Sequence, residues 1–370
     1  MVECGQIPDL LRRGRTLSPR PVLALDLGGT QIRAAAILAD GSRVARQALG
    51  TPVSEGPAAI VRACGDALEA ARAAAPRDVA SALLGVGISA PGPVDPWAGM
   101  LVEPPNLGLE VRDLPLAAEL ESRLGLPVFL ERDTNVAALA EQAFGAARGI
   151  ADFLYLTIST GIGGSIVTRG HLLLGPDGMA GELGHVPVEL DGPLCGCGGA
   201  GHLEAVASGR ALARDAMIAG ETGRSPFLAA RTAAASAAAA ASDGPAALSA
   251  RDVADGETAG DPTCAGLMDR ARRAVATACA GFVNTFNPSR IVVGGSIAEH
   301  QGERLLDAIR DEIARSSFRR PGQRVRVVPA ALGADVSLAG AYPLVTARID
   351  DDAWRDHRPV PAALSRLAGA

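Results

Sequence analysis

The sequence predicts an α/β protein built as two similar lobes with a cleft between them, and three observations predict it. Val22 to Asp26 is a short apolar run that breaks at Gly28-Gly29 and resumes from Ile32 to Leu38. Phe153 to Ile158 repeats the device, breaking at Gly161-Ile162-Gly163-Gly164 and resuming through Ile166-Val167. Two strand–glycine turn–strand units, about 130 residues apart, read as a duplicated architecture whose halves each present backbone N–H groups to one central ligand. The third observation is length: 370 residues suit two lobes of ordinary size, each able to bury its own core.

Taken in order, the turn signal Asp40-Gly41 follows the first unit and leads into a third strand-like run. Ala58 to Ala75 and Leu116 to Leu124 have helical composition, whereas Leu83 to Ile88 and Val128 to Leu130 are strand-like; this alternation is the α/β signature. Val136 to Phe144 reads as a helix, with Gly145 as its C′ residue. Residues 228–242 are nearly all alanine and read as a helix-prone surface segment without chemistry. The expected organisation is a disordered arm over 1–20, an N-terminal lobe over 21–132 onto which a helix near 336–348 packs back, a C-terminal lobe over 133–335, and a tail over 350–370 outside the core.

Hydrophobic residues at 48% and charged residues at 21% are ordinary globular composition and exclude a disordered chain. A net charge of −6 gives no general attraction to a nucleic-acid backbone, so no nucleic-acid partner is expected. No unbroken apolar run of about 20 residues offers a membrane span, and the arginines near the start precede no apolar signal segment. The expectation is a cytoplasmic protein. Of six cysteines, only Cys195 and Cys197 are close in sequence, and a disulfide across one intervening residue would be strained.

Asp26-Leu27-Gly28-Gly29-Thr30 sets a carboxylate at a strand end, two glycines that let backbone approach a phosphate, and a hydroxyl donor; alone, it is equally a tight turn. Ser159-Thr160-Gly161-Ile162-Gly163-Gly164-Ser165 is its partner loop, suited to further phosphates. Arg290 to Val293 ends in Gly294-Gly295-Ser296, which reads either as a nucleotide contact or as a simple strand-to-helix turn. Asp133 on its own reads as a helix N-cap; its chemical reading is a carboxylate that takes the proton of a sugar hydroxyl attacking a γ-phosphate. Glu182, His185 and Glu204 are groups of the kind that pair with vicinal sugar hydroxyls. Cys195, Cys197, His185 and His202 make four N/S donors for a structural zinc, with a reduced thiol pair as the alternative. His171, His300 and His357 lack such company and read as ordinary histidines.

In this order the motifs resemble the ROK family of bacterial sugar kinases and sugar-responsive repressors, glucokinases above all, from about Pro21 to Val345. The likeness takes in the two phosphate loops, Gly87 to Asp95, the Asp133 region, Gly181 to His185, the cysteine-rich loop into Glu204, and Leu332 through Ala341. The resemblance implies an actin-like ATPase fold (a duplicated ribonuclease H-like fold), ATP and Mg2+ in the interlobe cleft, a structural Zn2+, a hexose substrate, and a homodimer or homotetramer. It implies Asp133 as the base and Asn106, Glu182, His185 and Glu204 as sugar contacts, with His185 serving both zinc and sugar. It also implies phosphate or nucleotide contacts from Asp26, Gly28, Gly29, Thr30, Thr160, Gly161, Gly163, Gly294 and Gly295.

Four positions depart from the family pattern. Arg132 stands where the family has a sugar-binding Asn before the base, which makes it a substrate-site residue and a suspect for altered sugar choice. Leu109 replaces a common aromatic residue, His202 the third cysteine of the zinc loop, and Ser159 and Ser165 two glycines of the second phosphate loop, where their hydroxyls are expected to narrow the approach of ATP. Two other readings stand beside the kinase. A non-catalytic sugar binder is suggested by Arg132 and the serines, and a sugar-responsive regulator by the family's repressors. The stretch before Val22 is too short for a helix-turn-helix domain.

Overall fold

A computed structural model describes residues 19–242, 247–350 and 354, with the side chains of 237–242 excepted. The expected N-terminal arm, most of the tail and His357 lie outside the described residues.

The first half of the chain runs β1 (Val22–Leu27), β2 (Gln31–Ile37), β3 (Arg43–Gly50), α1 (Pro57–Ala74), α2 (Arg77–Ser81), β4 (Val86–Ala90), β5 (Val94–Asp95), β6 (Met100–Leu101), α3 (Leu116–Leu124), β7 (Val128–Arg132) and α4 (Asp133–Ala143). The second runs β8 (Phe153–Ile158), β9 (Ile162–Thr168), β10 (His171–Leu172), α5 (Leu203–Ala207), α6 (Gly209–Glu221), α7 (Pro226–Ser242), α8 (Ala250–Thr258), α9 (Pro262–Phe286), β11 (Arg290–Gly294), α10 (Ser296–Gln301), α11 (Glu303–Ser316), α12 (Arg319–Arg324), β12 (Arg326–Pro329) and α13 (Val336–Arg348).

Both halves build the same mixed sheet. The first has the order β3-β2-β1-β4-β7 and the second β10-β9-β8-β11-β12. In each, an antiparallel meander is extended by two parallel strands, β1 with β4 and β7, and β8 with β11 and β12. The central strands are buried on both faces, which explains their unbroken apolar runs. Leu23 and Leu25 face the α1 side with Ile60 and Leu68, while Val22 and Ala24 face Tyr342 and Leu344 of α13.

Helix α4 joins the two cores. Val136 packs with Phe129 and α13 beneath the first sheet, and Ala137 and Ala138 pack with Phe153 and Tyr155 of the second. The crossing with α13 is close because residue 340 is glycine: a Cβ there would sit 2.1 Å from the Val136 carbonyl oxygen.

Two expectations change. Residues 228–242 are helical within α7, but not wholly on the surface: Leu228 and Thr232 are buried, and Arg231 pairs with Asp252 and Asp255. Trp354 of the tail packs on the body, stacked on Trp97 at 6.0 Å and 16°, with the Arg348 guanidinium 3.6 Å from its ring centroid.

Candidate active site

Each phosphate-type loop is a hairpin turn held by its own backbone. In the first, the Gly28 N–H donates to the Gln31 carbonyl and the Thr51 hydroxyl donates to the Gly28 carbonyl at 2.6 Å. The Thr51 N–H also reaches the Thr30 carbonyl, so this loop is clamped by a threonine that the motif did not include. The Asn106 carbonyl oxygen would lie 2.6 Å from a Cβ on Gly29, which brings the Asn106 segment against the loop. Asp26 accepts two hydrogen bonds from Arg33 through Oδ2, at 2.9 and 2.6 Å.

The second loop turns earlier than the glycine run suggests. Ser159, Thr160 and Gly161 form the turn, and Ile162 to Gly164 already belong to β9. Those strand glycines exist for close approach: a Cβ on Gly163 would meet Thr134 of α4 at 2.7 Å, and one on Gly164 would meet Leu183 at 2.6 Å. The carbonyls of Ser159 and Thr160 accept the N–H groups of Gly209 and Arg210 at the start of α6, which braces the loop. Glu204 accepts the Ile162 N–H through Oε2 at 2.9 Å and lies directly behind Gly161. Ser165, expected in the loop, is fully buried in β9 with its hydroxyl unpartnered, so it does not narrow an approach path. Ser159 does face the cleft and bonds Ser296 at 2.9 Å, linking the second loop to Gly294-Gly295. Gly295 needs its glycine, with φ at +93° and the Ile158 carbonyl 2.5 Å from where a Cβ would be.

A cavity of about 480 Å³ opens beside these loops. Thr160, Arg210, Met268, Ser296 and His300 line it, together with the start of α8. His300 is an exposed side chain at the cavity's edge, which is compatible with the ordinary surface histidine expected there.

Asp133 is the first residue of α4 rather than its N-cap, the cap position being Arg132. Its carboxylate accepts the Thr134 N–H at 2.7 Å and has the favourable charge for a helix start. The side chain faces the open cleft, yet protein surrounds it on the other sides, and that desolvation pushes its pKa up to about 6. The Thr134 N–H and the charge of Arg132 oppose the rise, while Asp26 and Glu182 add to it.

Arg132 is buried, at 5% exposure, and its guanidinium forms an ion pair with Glu182. His185 turns Nε2 toward the other Glu182 oxygen at 3.9 Å and Nδ1 toward the Cys195 sulfur at 3.6 Å. Asp26, Asp133 and Glu182 thus gather around one cleft with Arg132 and Arg33 as countercharges, Glu204 sits behind the second loop, and Leu109 is 86% exposed.

The donor atoms of His185, Cys195, Cys197 and His202 all lie within 4.8 Å of one another. Cys197 Sγ is 3.2 Å from His202 Nδ1, and both cysteines are free of disulfides. Tetrahedral zinc, with Zn–S about 2.3 Å and Zn–N about 2.0–2.1 Å, sets its S and N ligands about 3.6 Å apart, so this donor set fits the ion. A Cβ on Gly199 would meet His202 at 2.3 Å, which makes the glycine a condition of the ligand loop.

The ROK family profile matches residues 22–348. The chain belongs to the ROK family. It is similar to a glucokinase of Thermotoga maritima, 34% identical over 328 residues that cover 89% of this chain and 98% of that one. Among solved structures it resembles a ROK hexokinase from Thermus thermophilus at TM-score 0.72 and 35% identity, covering 90% of this chain and 99% of that one. It also resembles a ROK glucokinase from Streptomyces griseus in complex with glucose and AMPPNP, at TM-score 0.68 and 33% identity, covering 88% and 98%. The paired sheets are those of the actin-like ATPase fold of ROK kinases. No helix of the described residues is long and apolar enough to cross a membrane.

Proposed function

We propose that this ROK protein transfers the γ-phosphoryl group of ATP to a hexose, glucose foremost, giving glucose 6-phosphate and ADP. The observation that carries the reading is Asp133: a carboxylate at the start of the helix shared by both cores, facing the cleft where the two phosphate-type loops meet. The similarity to glucokinases over nearly the whole chain supports the same chemistry.

In this reading Asp133 accepts the proton of the attacking hexose hydroxyl as the new O–P bond forms and the bond to the ADP oxygen breaks. Asn106, Glu182, His185 and Glu204 hold the sugar hydroxyls. Gly28, Gly29, Thr30, Thr160, Gly161 and Gly163 receive the phosphates, and the cavity beside Gly294 and Gly295 receives the rest of the nucleotide. Asp26 offers a hard oxygen donor of the kind magnesium accepts alongside substrate phosphates, and the ion would supply charge neutralisation when bound. Zinc held by His185, Cys195, Cys197 and His202 would fix the His185 ring through one nitrogen and leave the other for the sugar. A homodimer or homotetramer belongs to this reading, and exposed Leu190, Leu194 and Phe318 are apolar side chains that contacts between copies could cover.

The test is ADP release by the purified protein with magnesium ATP across a panel of hexoses, beside Asp133→Ala. Glucose-dependent release that the variant abolishes is the expected result. Release from no sugar, with tight sugar binding retained, would replace this reading with that of a non-catalytic sugar binder.

A further inference from the structure

Arg132 projects from the end of β7 in the first sheet and spends its guanidinium on the other half of the protein. Nη1 donates to Glu182 Oε1; Nη2 donates to the Ala180 carbonyl at 2.9 Å, to the Gly164 carbonyl at 3.2 Å and, more weakly, to Asn135 Oδ1 at 3.4 Å. Nε is buried without a partner, so that edge of the fork faces protein and not the cleft. Two glycines make room for the side chain. A Cβ on Gly92 would lie 3.1 Å from Arg132 Cδ, and one on Gly181 would lie 3.3 Å from Nη2.

We infer that Arg132 is a positioning residue that acts through Glu182: it ties the Gly181–His185 segment to the end of β7 and occupies Oε1, leaving Oε2 as the oxygen that meets the hexose. The inference rests on the sugar-kinase reading and deepens it. The chemistry differs from that of a neutral side chain at this position. A carboxylate with both oxygens open can turn either one to neighbouring hydroxyls, whereas one oxygen held by a guanidinium fixes the plane of the group and directs the other oxygen at the sugar. Because the arginine charge is already matched by Glu182, the pair does not select an anionic sugar. A lysine cannot take over the role, since a single ammonium lacks the planar fork that reaches a carboxylate and two carbonyls together.

The experiment measures hexose affinity by calorimetry without nucleotide, and KM for hexose and ATP separately, in the wild-type chain, Arg132→Met, Arg132→Lys, Glu182→Gln and the Arg132→Met/Glu182→Gln double variant; methionine fills the space of the arginine stem and offers neither the fork nor a sugar contact of its own. Arg132→Met should weaken hexose binding about ten- to a hundredfold with the ATP KM unchanged, the scale of a mispositioned hydrogen bond to a charged group. The double variant should be no weaker than Glu182→Gln alone, because both changes remove one unit. Arg132→Lys should resemble Arg132→Met, and it carries the test if the methionine variant fails to fold. Additive losses in the double variant, wild-type affinity in Arg132→Lys, or a preference of the wild-type chain for hexuronates over hexoses would each overturn the inference. Calorimetry reads the sugar contact directly, so absent turnover in the wild-type chain would refute the kinase reading separately.

Discussion

The acid limb of the pH profile tests the catalytic reading most directly. Burial pushes the Asp133 carboxyl up to about 6, against the Thr134 N–H and the Arg132 charge, and with Asp26 and Glu182 reinforcing the rise. A general base works only when ionised, so activity should fall as pH drops through that value. With a pKa of about 6, about nine-tenths of the enzyme carries the ionised base at pH 7 and about one-tenth at pH 5, a fall of about tenfold in kcat/KM. Asp133→Asn should lose about 10²–10⁴ in kcat, and its residual rate should lack this limb. That comparison separates Asp133 from the nucleotide, whose own titration would appear in both proteins. The stability sign is opposite: a carboxyl whose folded pKa is raised contributes stability fully only below its unfolded value near 3.8, and that contribution is lost as pH rises through about 6. Asp133→Asn should therefore unfold at no lower a temperature than wild type at pH 7, so lost turnover could not be blamed on misfolding. A wild-type profile flat from pH 7 to 5, or an identical limb in both proteins, would refute Asp133 as the base.

Zinc and the thiols can be read together in a chain with Cys4 replaced by serine. One zinc per chain should be released by a chelator, and removal should make Cys195 and Cys197 reactive toward a thiol reagent, while Cys64 and Cys279, pushed up to about 12 by burial, stay unmodified in the folded protein. Cys197 reacting equally before and after chelation would count against the metal. Trp354→Ala removes a stack on Trp97 and a cation–π contact with Arg348, and should lower stability in urea unfolding by about 1–2 kcal/mol. An unchanged unfolding curve would mean that the tail contact contributes nothing.

The parts of the site legible in the sequence were those signalled by local residue type. Gly28-Gly29, Gly161 and Gly163, and Gly294-Gly295 declare themselves because a close backbone approach admits nothing larger, and the apolar runs declare the strands that both sheets bury. Groups that need a distant partner gave no local signal. Glu131 is buried beneath Asp133, accepting from the Arg132 N–H and Asn135 while pairing with Arg348, which lies 217 positions away. Glu141 accepts the N–H groups of Ala331 and Leu332 and so ties α4 to the approach of α13. Neither carboxylate belongs to a motif, yet both hold the helix that carries Asp133, the proposed base. The cavity itself gave no local signal, because it exists only once α6, α8 and α10 come together.

Arg132 shows the limit most clearly. By type it is a charged donor in the place of a neutral sugar contact, which alone suggests either an altered substrate or a damaged site. Its partner lies 50 positions on, and only that geometry reveals that the charge is compensated inside the protein. The cleft brings Asp26 and Glu182 near Asp133, and desolvation first, then those two like charges, disfavour ionisation of Asp133. Asp26 pairs with Arg33 and Glu182 with Arg132, while Asp133 has no ion pair among the described residues and desolvation keeps its pKa raised to about 6. Phosphoryl transfer depends chiefly on positioning and charge stabilisation. The arrangement pairs Asp26 and Glu182 with arginines and leaves Asp133 as the carboxylate that exchanges a proton near neutral pH, which is what the proposed base requires.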